Sequence, residues 1–245
     1  MKHANLASYD NVENLKNFTE ISFHNYCQAK LKQCDKHIDF IRSNCIIDRF
    51  EGRFCEVGSG NSKLLYRLEA EGMLEEGIGY EISKSRHLFA EKFKTLTQCK
   101  KTINKCENIL ESNPLMNVDC IIAVDVVFQL ITPLYLDAEM VLLEWVFRSL
   151  KEGGFLILEL WDFKRQMELI KLSYDKVYKS WEEFSEDDPF QFSLFEQFFN
   201  PEGDIVWKKR FIKRDSKEVS EFENILRPYS FADIKNILLN RGFKK

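Results

Sequence analysis

The run Arg53-Phe54-Cys55-Glu56-Val57-Gly58-Ser59-Gly60-Asn61-Ser62 carries the clearest chemistry in the sequence. Phe54, Cys55 and Val57 suit a buried strand, and Leu64, Leu65 and Leu68 beyond them fall on one side of a helix. Between the two, Gly58 and Gly60 allow a sharp turn and let the backbone approach a ligand with no Cβ in the way. A glycine turn feeding a helix start presents backbone N–H groups to nucleotide-like ligands. A dinucleotide fingerprint needs a third glycine, and Lys63 stands in that place. What remains is an acid, Glu56, two positions before Gly-x-Gly. The next apolar run, Gly77-Ile78-Gly79-Tyr80-Glu81-Ile82, ends in Glu81. A carboxylate there can accept hydrogen bonds from both hydroxyls of a ribose. It can also serve as an N-terminal acid for a helix starting near Ser83.

Together these segments resemble motif I and the second strand of the class I S-adenosylmethionine (SAM)-dependent methyltransferases. The resemblance implies that Glu56 lies near the methionine amino end of SAM and that Gly58, Ser59 and Gly60 form the loop beneath it. It implies that Glu81 holds the ribose and Ile82 packs on adenine. Glu107, flanked by Cys106 and Asn108, would receive the adenine amine. Asp125 would face the methionine end or the acceptor, with Phe128 near either. Amino-methyltransferases of nucleic acids and glutamine carry Asn or Asp before Pro-Pro-Tyr here; this chain has Asp125-Val126-Val127-Phe128, which argues against those acceptors. Of four histidines, His24 is the best candidate base beside Asp125, while His3, His37 and His87 read as terminal, structural or solvated. Tyr26, Trp161, Arg210 and Arg227 are candidate acceptor contacts, an arginine suiting a phosphate or carboxylate. The expected product is S-adenosylhomocysteine (SAH).

Those residues need a scaffold, and 245 residues suit one α/β domain with an insertion. Strands are predicted near 53–57, 77–81, 101–104, 118–124 and 154–160, and helices near 61–72, 84–98 and 137–150. This alternation implies a parallel sheet covered on both faces. The expected class is α/β: a Rossmann-like, mostly parallel sheet with helices on both faces, an antiparallel β insertion and an N-terminal helical lid. The expected parts are a lid over 1–50, a SAM-binding core over 51–163, an aromatic-rich acceptor cap over 164–226 and a core helix over 227–245. In the lid, Phe23, Tyr26, Cys27, Leu31 and Cys34 fall at helical spacing, and Ile38, Ile41 and Ile46 continue them. In the cap, Asn200-Pro201-Glu202-Gly203-Asp204 is a turn joining two strands, with a third from Val219 to Leu226. Such an insertion resembles the small-molecule and sugar-nucleotide branch of the family. Ser230 and Asp233 read as a capping box and Gly242 as a helix stop. The family continues beyond this Gly-Phe into two more strands, whereas this sequence runs to Lys245.

A net charge of −4 with no long basic run disfavours nucleic acid as a partner. Lys208-Lys209-Arg210 and Lys213-Arg214 read as solvated strand edges. Cys27, Cys34, Cys45, Cys55, Cys99, Cys106 and Cys120 include no C-x-x-C pair and are odd in number, so neither zinc nor a disulfide framework is expected. Reduced thiols, no signal peptide and no apolar span suggest a cytoplasmic protein without a membrane partner. The expected function is methyl transfer to a small-molecule acceptor, a nucleotide-linked sugar or another surface-polysaccharide (capsule) precursor, with a homodimer as the candidate assembly. The rival is a non-catalytic SAM-binding subunit of a partner enzyme.

Overall fold

A computed structural model describes residues 13–45, 51–186 and 188–244; His3 and Ile46 lie outside them. Helices α1 (Glu20–Lys32) and α2 (Asp35–Asn44) come first. Five strands then form a parallel sheet: β1 (Gly52–Val57), β2 (Leu74–Tyr80), β3 (Thr102–Lys105), β4 (Val118–Ala123) and β5 (Leu150–Leu158). Their order is β3-β2-β1-β4-β5. The chain reverses direction across the sheet between β1 and β4, and ligands of such sheets bind outside the carboxyl ends at that switch. Helices α3 (Lys63–Ala70), α4 (Lys84–Thr97), α5 (Val127–Ile131) and α6 (Ala138–Ser149) connect the strands. Strands β2 and β5 begin earlier than their apolar runs suggest. Glu75 and Glu152 are exposed at their amino ends, so polar residues extend the ladders there.

Alternation along the central strands fills two cores. Cys55, Val57, Ile121 and Ala123 face α6 through Leu142, Trp145 and Val146. Phe54, Cys120, Ile122 and Val124 face the other way, onto Leu64, Leu65 and Leu68 of α3 and Ile38 and Ile41 of α2. Each such leucine contributes about 1.5–3 kcal/mol by leaving water. A third cluster, Phe23, Tyr26, Cys27, Tyr66, Phe89 and Phe93, fixes α1 against α3 and α4. The helices of the lid are thus packed on the sheet's flank.

After β5, helix α7 (Lys164–Leu172) leads into an antiparallel sheet of β6 (Tyr178–Glu183), β7 (Phe190–Phe199), β8 (Ile205–Lys213) and β9 (Val219–Leu226), in that order. The hairpin and the third strand stand where the turn signals put them. Strand β6 escaped sequence reading because its Lys179, Glu182 and Glu183 break the apolar pattern. One face of this sheet, through Ile205, Trp207 and Leu226, packs on Val126 and Leu130 at the end of β4 and on Phe163 and Ile170. Gln129, wholly buried, fastens both ends of the insertion. Its side chain donates to Trp161 O at 3.1 Å and accepts from Trp161 N at 2.9 Å, and its carbonyl accepts from Arg227 N at 3.0 Å. Helix α8 (Phe231–Asn240) returns to the first core, with the Ser230–Asp233 capping box formed as expected.

Candidate functional site

The carboxyl ends of β1, β2 and β4 open into a cavity of about 400 Å³. Its floor is the glycine turn. Gly58 and Gly60 have φ of 61° and 56°, the left-handed region that glycine tolerates. A Cβ on Gly58 would lie 2.7 Å from Val127, and one on Gly60 would run into the Arg86 guanidinium. Both contacts are with residues that line the cavity, so a side chain at either glycine would crowd its wall.

Glu56 lines this cavity at 3% exposure, and its Oε2 has no hydrogen-bond partner among the described residues. Burial pushes its carboxyl up to about 8, against the opposing pull of Lys63. A buried, unpaired carboxylate oxygen requires a donor, and a ligand ammonium would supply one. Lys63 is not that donor, because its Nζ pairs with Asp125 Oδ2 at 3.0 Å. Glu81 does two jobs without any ligand. Its Oε2 accepts from Gly60 N at 2.9 Å and its Oε1 from Ser83 N at 2.7 Å, tying the glycine loop to the start of α4. Ile82, Glu107, Asn108, Ile109 and Leu110 also line the cavity, as a mixed apolar and acidic edge.

Sequence reading missed Glu13. It is buried at the mouth of the cavity and accepts from Tyr26 Oη at 3.0 Å, Asn61 Nδ2 at 2.5 Å and Arg86 Nε at 2.9 Å. Burial raises its carboxyl, but the nearby cations and donors, Arg86 first, prevail and hold it below its ordinary value. No local motif marks it, since its three partners come from three separate elements.

The turn after β4 is strained. Asp125 and Val126 have φ of 54° and 62°, and a β-branched residue there is a genuine outlier. Glu159, at the end of β5, holds the turn by accepting from Asp125 N at 3.0 Å. Its Oε2 also meets His37 Nε2 at 3.1 Å. The His37 contact first, and the Asp125 N–H with it, pull the Glu159 carboxyl down to about 2.

The structure thus brings Glu56, Gly58, Ser59, Glu81, Ile82, Glu107, Asn108 and Asp125 to one cavity, with Gly60 beneath Glu81. Other expected residues stand elsewhere. His24 is exposed on α1 and does not line the cavity, because its helix turns Phe23, Tyr26 and Cys27 inward instead. Tyr26 is buried and its hydroxyl is committed to Glu13. Cys106 is exposed beside the cavity, outside its lining. Phe128 is fully buried in the core, 5.5 Å from the Tyr229 ring. Trp161 faces a groove beyond β5, its ring 5.4 Å from Trp207. Arg210 points from the outer face of β8 and pairs with Glu221 at 2.7 Å. Arg227 is forked onto Asp204 at 3.0 and 3.3 Å. Lys209, expected on a solvated edge, is partly buried and reaches the cavity from the inner face of β8. Among the described residues no cluster of His, Cys, Asp and Glu could hold a metal, and no helix is long and apolar enough to cross a membrane.

No protein-family model and no curated protein sequence matches the chain. Solved structures do. A SAM-dependent methyltransferase from Clostridium acetobutylicum ATCC 824 superposes with a TM-score of 0.64 at 16% identity, over 95% of this chain and 84% of that one. The fold is that of the SAM-dependent methyltransferases. SAM-bound CalS10, an amino pentose methyltransferase from Micromonospora echinaspora, gives 0.64 at 13% identity, over 92% and 89% of the two chains. The sugar N-methyltransferase KedS8 from Streptoalloteichus sp ATCC 53650 gives 0.57 at 14%, over 83% and 77%. The shared architecture includes the parallel sheet and spans most of each methyltransferase chain.

Proposed function

We propose that the protein is a SAM-dependent methyltransferase whose acceptor is a small molecule, a nucleotide-linked sugar or a related surface-polysaccharide precursor. The observation that carries this reading is the unpaired, buried Glu56 oxygen facing the cavity above the glycine turn. It suits the methionyl ammonium of SAM, while Glu81 suits the ribose hydroxyls and Glu107 or Asn108 the adenine amine. Lys63 in place of a third glycine disfavours a nicotinamide dinucleotide. When bound, SAM supplies a methyl group on a sulfonium centre, open to in-line displacement. The chain's own residues then hold the acceptor in contact and in line, which can contribute about 7–11 kcal/mol. Asp125, which lines the cavity and is held by Lys63 and by the strained turn, is our candidate for orienting the acceptor or taking its proton. Through Lys209, the inner face of the antiparallel sheet contributes to the wall of the cavity. The solved methyltransferases with the same fold support the class of reaction, and two of them are described as acting on an amino pentose and on a sugar nitrogen.

Titration calorimetry with SAM, SAH and NAD tests the reading. SAM and SAH should bind with NAD silent, and SAM should turn over to SAH against a panel of nucleotide sugars. Binding of NAD with no response to SAM or SAH would refute it.

A further inference from the structure

The roof of the cavity carries a charge that its own sheet does not neutralise. On β8, residues alternate between the outer and inner faces. The outer cations are paired with acids of β9, Lys208 with Glu223 at 3.5 Å and Arg210 with Glu221 at 2.7 Å. Lys209, between them, points inward and lines the cavity. Its cross-strand neighbours are Phe195 and Phe222. Its Nζ lies 3.7 Å from the Trp207 ring centroid and 5.4 Å from that of Phe222. Among the described residues no carboxylate stands within ion-pair distance of it; Glu182 of β6 acts on it only from farther off. The cavity's other strong cations are committed: Lys63 to Asp125, and Arg86 to Glu13. Lys30, another cation of the lining, lies 4.9 Å from the Tyr26 ring centroid and is acted on by Glu13 and then by Asp188.

Aromatic faces stabilise an ammonium by about 0.5–2 kcal/mol, yet they also strip its water. That loss draws the Lys209 amine down to about 8. An anion entering the cavity would restore what the solvent no longer provides. The acids Glu56, Glu81 and Glu107 line the floor and far end, so they would turn an anion away from themselves and toward the roof. We propose that Lys209 anchors an anionic group, a phosphate or a carboxylate, on the methyl acceptor; this rests on the reading of the cavity as a methyltransferase site. The anchor specifies the acceptor class, since a neutral sugar or amine would leave the ammonium uncompensated.

Calorimetry with the full-length protein, first saturated with SAH, tests the anchor with two probes, UDP for a phosphate and glucuronate for a carboxylate. The wild type should bind one of them. Lys209→Met should weaken that binding by about 10- to 100-fold, the range for one charged hydrogen bond, and leave the SAH affinity unchanged. Lys209→Arg, which keeps the charge, should recover most of the loss. Thermal unfolding of both variants shows whether the roof is still folded. Equal binding by the wild type and Lys209→Met, or no binding of either probe by SAH-loaded wild type, overturns the anchor alone. Failure of the wild type to bind SAH in the first titration overturns the methyltransferase reading with it.

Discussion

Glu56 links the chemistry of the site to the pH response of the fold. Its folded-state value of about 8 lies above the ordinary 4.5, so the ligand-free protein keeps a proton that the unfolded chain releases. The stability from this group is full below pH 4.5 and is lost as pH rises toward 8. Glu56→Gln should flatten that decline, seen as a higher melting temperature at pH 8 than the wild type, while weakening SAM by about tenfold or more through loss of a charged partner. Binding an ammonium requires the carboxylate form. SAM affinity should therefore increase between pH 6 and 8 with release of a proton, measurable by calorimetry in buffers of different ionisation heat. Glu81 behaves differently, because it already accepts from Gly60 and Ser83 backbone N–H groups. Glu81→Ala should both weaken SAM and lower the ligand-free stability by about 1–3 kcal/mol, the cost of leaving buried donors unsatisfied. Unchanged denaturation with weakened SAM binding would show that these two bonds contribute little to the fold.

Among the elements, the turn after β4 invites the most direct test. Val126 at positive φ stores about 1–3 kcal/mol of strain, held in place by Glu159 and by packing against the insertion. Val126→Gly removes the strain together with a buried side chain. If strain dominates, urea unfolding should show little loss or a gain in stability, and turnover should fall because Asp125 is less firmly placed. A loss above about 2 kcal/mol would mean that the packing of Val126 outweighs its backbone. The parallel core was legible from the sequence because apolar runs mark the middle of β1, β2, β4 and β5 and alternate with helical stretches, and Gly58 and Gly60 mark a turn with its own chemistry. Glu56 was legible because it stands two positions before that turn, and Glu81 because it ends the next apolar run. Glu13, Gln129, Glu159 and Lys209 were not, since each acts through partners distant in sequence. Lys209 illustrates the reason: its neighbours Lys208 and Arg210 are solvated, and only strand alternation against a packed roof separates it from them. His24 and Arg210 show the opposite case, suitable chemistry on exposed positions outside the cavity lining.

At the scale of the whole molecule, the cavity lies at the carboxyl edge of the parallel core, and the antiparallel sheet reaches it through Lys209. Arg227 is forked onto Asp204 at the joint between core and sheet. Arg227→Ala would strand the buried Asp204 carboxylate and should cost about 1–3 kcal/mol in denaturant unfolding, leaving acceptor KM near the wild-type value. A raised KM with unchanged stability would return Arg227 to the acceptor side. The joint has a further meaning through Gln129. Where the chain leaves the core, at Trp161, and where it comes back, at Arg227, it touches the same residue. The roof is therefore topologically a long excursion from a single point. A short linker across that point would close the core on itself, and a different excursion could be spliced in without moving β1, β2 or β4. On the proposed function, this arrangement would put the groups that meet the acceptor on an exchangeable excursion and those that meet the methyl donor on the core that is kept.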